Sequence, residues 1–448
     1  MKKVKLGDVI DYFISGDWGK EQNSNQTPNK VSCVRGADID NVNAKQSETI
    51  PIRYVKNSSF ENKILAIGDI IIEKSGGSPT QSTGRVAFIS EKIKNELNHI
   101  VCSNFCTAFR VKHEYDALFV YYYFQHIYKS DVFFQFESQT TGIKNLLLDL
   151  ALTEIPFVDF DKTTQSDIAR VLSTFDDKIE LNNKINKELE NLARTIYEYW
   201  FVQNADEKWE RKSLYDIATF TNGLACQKFR PKGKDFYKVI KIKEMRNGFT
   251  KDTEFVDKNI PKNIIVNDGD ILFSWSASLE VMIWAGGIGG LNQHIFKVTS
   301  DKFPKSFVYF QLLNYLHHFR IIANNRRTTM GHITIDHLKQ SEIHIPPINI
   351  IQKVDKTVSP IFEQIIKNRQ ENAELSRLRD FLLPLLMNGQ VTVGQLQQAK
   401  SITIPFPNII NNKTTFQTWK TQIGLAARGD IDEQTLHNIY EAIDENDR

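Results

Sequence analysis

Two long stretches of the chain carry the same helical pattern 186 residues apart, and this repeat constrains the fold most strongly. In the first stretch apolar residues alternate in steps of four and three, as in a coiled-coil core. They are Ile168, Leu172, Phe175, Ile179, Leu189, Ala193, Ile196 and Trp200. Adding 186 to each number gives a second set, apolar except at one position, which consists of Val354, Val358, Ile361, Ile365, Leu375, Arg379, Leu382 and Leu386. The sequence therefore predicts two long helices with matching seams.

Both seams are interrupted by polar residues at the same place. Asn182 and Asn186 occupy two seam positions in the first stretch, and Asn368 and Asn372 follow at the same 186-residue offset. A buried asparagine weakens a helical seam but fixes its register and its partner. We therefore expect the two helices to pair with each other in antiparallel fashion within one chain, which gives a repeated chain an approximate twofold axis.

Composition sets broad limits on what the chain is. With 448 residues, of which 41% are hydrophobic and 11% aromatic, the chain is long enough for two or more domains with real cores. A net charge of +2 indicates no nucleic-acid partner by itself and leaves a local basic face open. The four cysteines lack zinc-ligand spacing and are predicted to be buried thiols. Because no long apolar run or signal peptide is present, we expect a cytoplasmic protein with no membrane contact.

The segments that precede the two helices also repeat. Residues 66–72 and 267–273 both predict a turn that leads into a buried strand, and residues 119–125 and 307–311 both predict a helix. The chain is therefore a predicted tandem duplication with a period of about 190 residues. The predicted fold class is α+β, with two tandem mixed α/β domains joined by two long antiparallel helices that form an intramolecular coiled coil.

The repeat also predicts domain boundaries. They place the first α/β domain at residues 1–160, the first long helix at 161–204, the second α/β domain at 205–348, the second long helix at 349–390 and a C-terminal extension at 391–448. The role of the extension is unknown. It ends in a predicted helix over residues 432–443, and docking of a partner and an inert appendage are equally open.

No pattern in the sequence matches a catalytic site. Asp69, Glu73 and Lys74 are similar to the acidic and lysine set of metal-dependent nucleases, but the residue between the glutamate and the lysine is missing. The glycines at 286–290 do not open a helix, as a nucleotide-binding loop would. Residues 345–347 lack the Asn or Asp of an amino-methyltransferase motif. We therefore predict no catalytic residues and no metal site.

Polar loops that contain glycine, hydroxyl and amide groups occupy equivalent places in the two predicted domains. Such loops suit phosphate oxygens and base edges, and neighbouring cations can bind phosphate or guanine. Ordinary hairpin turns are the alternative interpretation. In the first domain the candidate DNA-binding residues are Lys74, Ser75, Gly76, Gly77, Ser78, Thr80, Gln81, Gln139, Thr140, Thr141 and Lys144. In the second domain they are Ser274, Trp275, Ser276, Asn292, Gln293, His294, Arg326, Arg327, Thr328 and Thr329.

Three runs of residues resemble the specificity subunit of type I restriction-modification enzymes. They are residues 175–182, which begin Phe-Asp-Asp-Lys, residues 192–202 and residues 291–298. The resemblance covers about residues 1–390. It implies a subunit without catalytic activity whose two target-recognition domains bind the two halves of an interrupted, asymmetric site in double-stranded DNA. Two departures stand out, because the second helix lacks the Phe-Asp-Asp-Lys run and residues 391–448 extend past the usual conserved region.

The resemblance also implies partners that act in phage defence. They are two modification (methyltransferase) subunits, which methylate DNA, and restriction (endonuclease and translocase) subunits. It implies no cofactor on this subunit, because S-adenosylmethionine, ATP and Mg are expected on the partners. The alternative hypothesis is a non-catalytic coiled-coil scaffold with two protein- or carbohydrate-binding domains. That scaffold would show no salt-dependent affinity for DNA.

Overall fold

The computed structural model describes residues 2–78, 81–140, 143–325 and 331–394. Six candidate residues lie outside these ranges, namely Thr80, Thr141, Arg326, Arg327, Thr328 and Thr329. Most of the C-terminal extension, including the helix predicted at 432–443, also lies outside them. The described residues form two compact units. Unit 1 comprises residues 2–180 and 375–394, and unit 2 comprises residues 181–374.

Unit 1 is a mixed α/β structure. Its strands are β1 (Lys2–Lys5), β2 (Ile10–Ser15), β3 (Asn29–Val34), β4 (Ile52–Val55), β5 (Ile70–Glu73), β6 (Ser75–Gly76), β7 (Val86–Phe88), β8 (Ile100–Cys102), β9 (Cys106–Val111), β10 (Glu137–Thr140), β11 (Ile143–Leu146) and β12 (Pro156–Asp159). Its helices are α1 (Ile39–Asn43), α2 (Asn57–Asn62), α3 (Glu91–Leu97), α4 (Ala117–Lys129), α5 (Leu148–Glu154) and the first half of α6 (Lys162–Glu198).

The central strand of unit 1 is β5, which is buried on both faces. It lies in an antiparallel sheet of order β2-β9-β5-β7, and a second sheet of order β4-β3-β8 pairs β3 with β8 in parallel. Successive strand residues point to opposite faces. Ile70 and Ile72 pack in the core that contains Phe119 of α4, whereas Ile71 packs with Cys102 of the second sheet. Two covered faces explain the uninterrupted apolar run of this strand.

Unit 2 repeats this architecture. Its strands are β13 (Glu210–Ser213), β14 (Thr219–Asn222), β15 (Phe236–Ile240), β16 (Phe255–Asp257), β17 (Ile265–Val266), β18 (Ile271–Ser274), β19 (Glu280–Ile283), β20 (Gly289–Leu291), β21 (Ile295–Thr299) and β22 (Glu342–Ile345). Its helices are the second half of α6, α7 (Leu214–Ile217), α8 (Ile242–Asn247), α9 (Lys305–Asn325), α10 (Ile335–Gln340) and most of α11 (Ile348–Met387).

The sheet order of unit 2 confirms the predicted duplication. One sheet has the order β14-β21-β18-β19, which matches β2-β9-β5-β7 of unit 1. A second has the order β16-β15-β20-β17, and β15 is parallel to β20 as β3 is to β8. The predicted fold class, two tandem mixed α/β domains with long helices, is confirmed. The predicted domain boundaries stay predictions.

In unit 2 the predicted asparagines form a polar layer between the two long helices. Asn182, Asn186 and Asn368 are buried, and Asn372 is half-buried. The Nδ2 of Asn368 donates to the Oδ1 of Asn186 at 2.8 Å, and the Nδ2 of Asn182 donates to the Oδ1 of Asn372 at 2.9 Å. The earlier asparagine of α6, Asn182, thus pairs with the later asparagine of α11, Asn372, and the later one, Asn186, pairs with the earlier one, Asn368. The helices are therefore antiparallel here, as predicted.

In unit 1 the same two helices pack along their other halves. Leu383, Leu386 and Met387 of α11 belong to the same buried core as Leu172 of α6. Arg379 is the one seam position where the apolar repeat fails, and its guanidinium binds the Asp176 carboxylate. A cation at a half-buried seam position is stabilised by an opposite charge beside it.

Two simpler expectations concern the cysteines and membrane contact. All four cysteines, Cys33, Cys102, Cys106 and Cys226, are buried free thiols, as predicted. Burial raises the pKa of the Cys33 thiol to about 12, so this group is uncharged at neutral pH. In the described part of the chain, no helix has the length and apolar character that crossing a membrane requires.

Candidate nucleic-acid interface

Four backbone segments of unit 1 meet just beyond the carboxyl end of β5. The Lys74 amide donates to the Phe105 carbonyl at 2.8 Å, and the Leu146 amide donates to the Lys74 carbonyl at 2.8 Å. The Asp17 amide donates to the Cys102 carbonyl at 2.8 Å. These bonds hold together segments that are far apart in sequence. We call them the frame of unit 1, which comprises residues 15–17, 74–76, 103–105 and 144–146.

Unit 2 contains the same arrangement. The Trp275 amide donates to the His294 carbonyl at 3.2 Å, and the Ile333 amide donates to the Trp275 carbonyl at 2.8 Å. The Leu224 amide donates to the Leu291 carbonyl at 2.9 Å. Each bond matches one of the three in unit 1. The frame of unit 2 comprises residues 222–224, 275–276, 292–294 and 332–333.

A glycine is required at the same point of both frames. A Cβ atom added to Gly16 would lie 2.0 Å from the Ser103 carbonyl oxygen, and one added to Gly223 would lie 2.1 Å from the Asn292 carbonyl oxygen. Both distances are far below van der Waals contact, so no other residue fits without a backbone shift. The two glycines allow the end of one strand to approach the neighbouring loop closely.

The predicted residues Lys74, Ser75 and Gly76 lie on the frame of unit 1. The Ser75 hydroxyl donates to the Oδ1 of Asn145 at 2.6 Å, and Lys74 is half-buried. Gly76 and Gly77 adopt φ angles of 147° and 73°, which disfavour any residue with a side chain. The glycine-rich loop is therefore a tight turn, and it presents the neighbouring Lys74 and Ser75 at the frame.

The remaining candidates of unit 1 flank the frame. Ser78 and Gln81 bond to each other through their backbones, with the Ser78 amide 2.9 Å from the Gln81 carbonyl oxygen. Lys144 is directed inward, because its ammonium binds the Glu137 carboxylate at 2.9 Å and its side chain is only 14% exposed. Strand β10, which carries Gln139 and Thr140, pairs with β11. The cation predicted to grip phosphate at Lys144 is thus neutralised within unit 1.

In unit 2 the predicted residues separate into those that face outward and those that support the turn. Ser274 is completely buried, and its hydroxyl donates to the Ser278 carbonyl at 2.6 Å and accepts the Glu280 amide at 2.9 Å. Asn292 belongs to the frame of unit 2, but it is only 5% exposed. Both residues therefore stabilise the local backbone in this structure and have little surface available to a ligand.

The outward residues of unit 2 form an aromatic and amide cluster. The Nε1 of Trp275 donates to the Oδ1 of Asn222 at 3.0 Å, and the ring centroids of Trp275 and His294 are 5.6 Å apart. Ser276 is buried at 7% exposure beneath these residues, and its hydroxyl lies 3.0 Å from the Nδ1 of His294. His332 pairs with Ser276 and packs its ring edge-on against Trp275. Asn222 and His332 were not among the predicted residues, because no local motif marks them.

Gln293 lies between the supporting and the outward residues. Its side chain is half-buried, and its Oε1 atom is buried without a hydrogen-bond partner among the described residues.

A basic loop next to the frame of unit 2 was not predicted from the sequence. It follows Leu224 and carries four exposed cations, Lys228, Arg230, Lys232 and Lys234. The Asp257 amide donates to the Phe229 carbonyl at 2.8 Å, which anchors the loop to β16. Alternating cations over seven residues are visible in the sequence and could have indicated the loop. Exposed lysine and arginine side chains suit phosphate groups.

The acidic residues that are similar to a nuclease set have structural partners. Asp69 binds Arg110 at 2.8 and 2.9 Å, and Glu73 binds Arg85 at 2.8 and 3.0 Å. Both carboxylates are buried. Among the residues that the structure describes, no group of three or more His, Cys, Asp or Glu side chains could hold a metal ion.

The two repeats match the same family model, described as the type I restriction modification DNA specificity domain, over residues 1–191 and 206–377. The chain belongs to this family. The specificity domain is a DNA-recognition domain and not an enzyme, which confirms the prediction of a non-catalytic subunit. The first matched stretch includes the frame of unit 1, and the second includes the frame of unit 2.

Curated relatives extend the match. The chain is 27% identical over 274 residues to the type I restriction enzyme MjaIX specificity subunit of Methanocaldococcus jannaschii, which covers 54% of this chain and 62% of that protein. It is 23% identical over 315 residues to the type I restriction enzyme HindI specificity subunit of Haemophilus influenzae, which covers 52% and 68% respectively. The chain thus spans less than two thirds of the archaeal relative.

A solved structure supports the fold of the specificity domains. The type I restriction-modification system S subunit from M. genitalium matches with a TM-score of 0.51 and 15% identity, over 86% of this chain and 96% of that chain. At this identity the likeness concerns the fold alone. It agrees with two mixed α/β domains and long helices.

Proposed function

We propose that the chain is the sequence-specific DNA-binding subunit of a type I restriction-modification complex. Each unit binds one half of an interrupted, asymmetric site in double-stranded DNA. The observation that carries this proposal is the pair of family matches, one in each repeat, combined with a frame in each unit that has the same backbone and different side chains. Two equivalent supports with different surfaces suit two different half-sites.

The chemistry around the frames fits recognition of DNA. Lysine and amide groups can bond to base edges, and aromatic or apolar groups can contact the thymine methyl. The basic loop of unit 2 carries cations that would bind phosphate and position the unit on the duplex. Phosphate contacts of this kind release counterions, so binding should weaken steeply as salt rises.

The chemical steps would belong to partner subunits. Two modification subunits would methylate the DNA with S-adenosylmethionine, and restriction subunits would use ATP and Mg to translocate and cleave it. The specificity subunit would bind none of these cofactors. Its part is to select the site and so to direct the partners. A cytoplasmic location follows from this role.

Two measurements test the proposal. In the first, fluorescence anisotropy with the full chain and a co-expressed modification subunit measures affinity for duplex DNA from about 50 to 200 mM salt, a range in which several phosphate contacts change affinity by orders of magnitude. In the second, methylome sequencing of cells that carry the same subunits identifies the methylated motif. We expect a salt-dependent affinity and one bipartite motif with two unequal halves.

The same measurements would reject the proposal. Affinity for DNA that does not change with salt, together with the absence of a methylated motif, would favour the coiled-coil scaffold with protein- or carbohydrate-binding domains. A motif with two identical halves would instead contradict the assignment of one distinct half to each unit.

A further inference from the structure

We infer that four side-chain positions, one on each segment of the frame, determine which bases each unit selects. In unit 1 these positions are Ser15, Lys74, Phe105 and Asn145. In unit 2 they are Asn222, Trp275, His294 and His332. The inference rests on the proposed function and adds to it the residues that set specificity.

Backbone hydrogen bonds establish which positions are equivalent. The Lys74 amide and the Trp275 amide each bond to the carbonyl of the neighbouring loop, which makes Phe105 equivalent to His294. The pairing of Ser75 with Asn145 corresponds to the pairing of Ser276 with His332.

The last pair of positions follows from the strand registers. Ser15 pairs with Thr107, and Asn222 pairs with Phe296. Each of these two residues directly precedes one of the close-approach glycines, Gly16 or Gly223. The equivalence is therefore geometric and does not depend on shared letters in the sequence.

In unit 1 the four positions combine an ammonium group, an amide, a hydroxyl and a ring. Phe105 is 57% exposed, a large fraction for an aromatic side chain, and Ser15 is also exposed. The Oδ1 of Asn145 accepts the Ser75 hydroxyl, so its two amide hydrogens are directed to other acceptors. Lys74 and Asn145 thus offer donors, which suits the N7 and O6 acceptors of guanine or the O4 of thymine. Phe105 offers an apolar contact for a thymine methyl group.

In unit 2 the same positions offer a different surface. The Oδ1 of Asn222 accepts the Trp275 indole, which leaves its amide hydrogens as donors. His294 is exposed, and its Nδ1 contacts Ser276, so its Nε2 is the ring nitrogen available to a base edge. Trp275 packs between His294 and His332 and holds the two rings in place. None of the four positions of unit 2 is a lysine or an arginine.

All four positions differ between the units, whereas the backbone that carries them is the same. Base contacts specify a sequence, and a rigid support makes those contacts reproducible. Ser274, Asn292 and Lys144 are excluded from the set because they are buried or paired within their own unit. The two halves of the target should therefore differ in sequence, and each half should respond only to its own set.

Binding-site selection tests the inference. The full chain with a co-expressed modification subunit is incubated with a randomised duplex DNA library, and the bound DNA is sequenced. The variants are Phe105→Ala for unit 1 and His294→Ala for unit 2. The controls are Ile67→Ala in unit 1, which is 56% exposed, and His317→Ala in unit 2, which is exposed on α9. The parent is selected in parallel.

We expect His294→Ala to lose preference by about 5- to 150-fold at one or two base pairs of one half-site, as removal of a direct bond to a base does. Phe105→Ala should lose preference in the other half-site, for the thymine whose methyl group the ring contacts. With each variant the half-site bound by the other unit should be unchanged, and both controls should select the parental motif. A uniform loss of affinity without a change of motif would assign these side chains to phosphate contact and overturn the inference. Parental motifs from both frame variants would overturn it as well.

The failure of the proposed function has a different signature. If the parent itself selects no motif from the library, the chain is not a DNA-specificity subunit, and the inference fails with the proposed function. If the parent selects a bipartite motif and the frame variants leave it intact, only the inference fails.

Discussion

The asparagine layer between the long helices yields a quantitative prediction. Asn186 and Asn368 are 6% and 5% exposed, and a single 2.8 Å hydrogen bond joins them. Replacing Asn186 with leucine leaves the buried Nδ2 of Asn368 without this acceptor, although the Oδ1 of Asn368 still accepts the Gln364 amide at 2.8 Å. Replacing Asn368 leaves the buried Oδ1 of Asn186 without its donor. An unsatisfied buried polar group costs about 1–3 kcal/mol, so each single variant should lower the free energy of unfolding by roughly that amount.

The double variant should behave differently. When Asn186→Leu and Asn368→Leu are combined, both polar groups leave the seam and two apolar side chains meet there. Such a replacement is nearly neutral or stabilising, so the coupling in a double-mutant cycle should approach the sum of the two single costs, about 2–6 kcal/mol. Asn191→Leu is the matched control, because Asn191 is exposed on the same helix. Its effect should lie within about 0.5 kcal/mol.

Denaturant unfolding followed by tryptophan fluorescence measures these energies. Four of the six tryptophans lie in unit 2, namely Trp200, Trp209, Trp275 and Trp284, and Trp18 lies in unit 1. The larger part of the signal from the described tryptophans therefore reports on the unit that contains the asparagine layer. Light scattering on the double variant tests the second role of the layer, since helices without a polar register signal can pair between chains. Single and double variants whose effects simply add would refute the reasoning, because the two amides would then not depend on each other.

Three further predictions concern separate features. Replacing the four cations of the basic loop with glutamine should reduce the slope of log affinity for DNA against log salt concentration by about 0.9 for each phosphate group that the loop no longer binds. The control variant, Lys208→Gln with Lys302→Gln, should leave this slope unchanged. An unaltered slope for the loop variant would show that the loop does not contact DNA. Gly223→Ala should disturb the frame of unit 2 and relax the base preference in one half of the selected motif. The control Gly233→Ala, whose Cβ would meet nothing within 4 Å, should select the parental motif. An intact motif for Gly223→Ala would show that base selection does not depend on the frame. Burial raises the pKa of Asp380, but Lys129 and Arg379 outweigh it and hold the pKa below its usual value. The stability that this carboxylate contributes is therefore present above its unfolded pKa of about 3.9 and is lost as pH falls through the lower folded value. In a series of melting temperatures measured against pH, Asp380→Asn should lose less stability at acid pH than the parent, and an equal loss would contradict the assignment.

The long helices and the duplication could be predicted from the sequence because their signals are periodic. The asparagines at 182, 186, 368 and 372 keep a constant offset, and helix geometry fixes which face they occupy. Buried strands such as Ile70–Glu73 also follow from an apolar run that a turn precedes. The helix predicted at residues 119–125, which repeats at residues 307–311, lies within Ala117–Lys129.

The frame could not be predicted in full, because loops of unequal length change the offset between the repeats. Gly16 and Gly223 are 207 residues apart, whereas Phe105 and His294 are 189 apart. No constant shift aligns both pairs, and the residues themselves differ at the positions that face outward. The inward direction of Lys144 could not be predicted either, because its partner Glu137 comes close to it only through the pairing of β10 with β11.

The division of the long helices between the units affects how the chain matures. Leu383, Leu386 and Met387 complete the core of unit 1, yet they are synthesised after every residue of unit 2 that the structure describes. The first domain to leave the ribosome therefore stays incomplete, with the face of α6 around Leu172 uncovered until residues 383–387 of α11 are synthesised. Contacts between such distant residues close a large loop and form slowly. During synthesis the second unit can finish folding before the first, which reverses the usual order of domains along a chain.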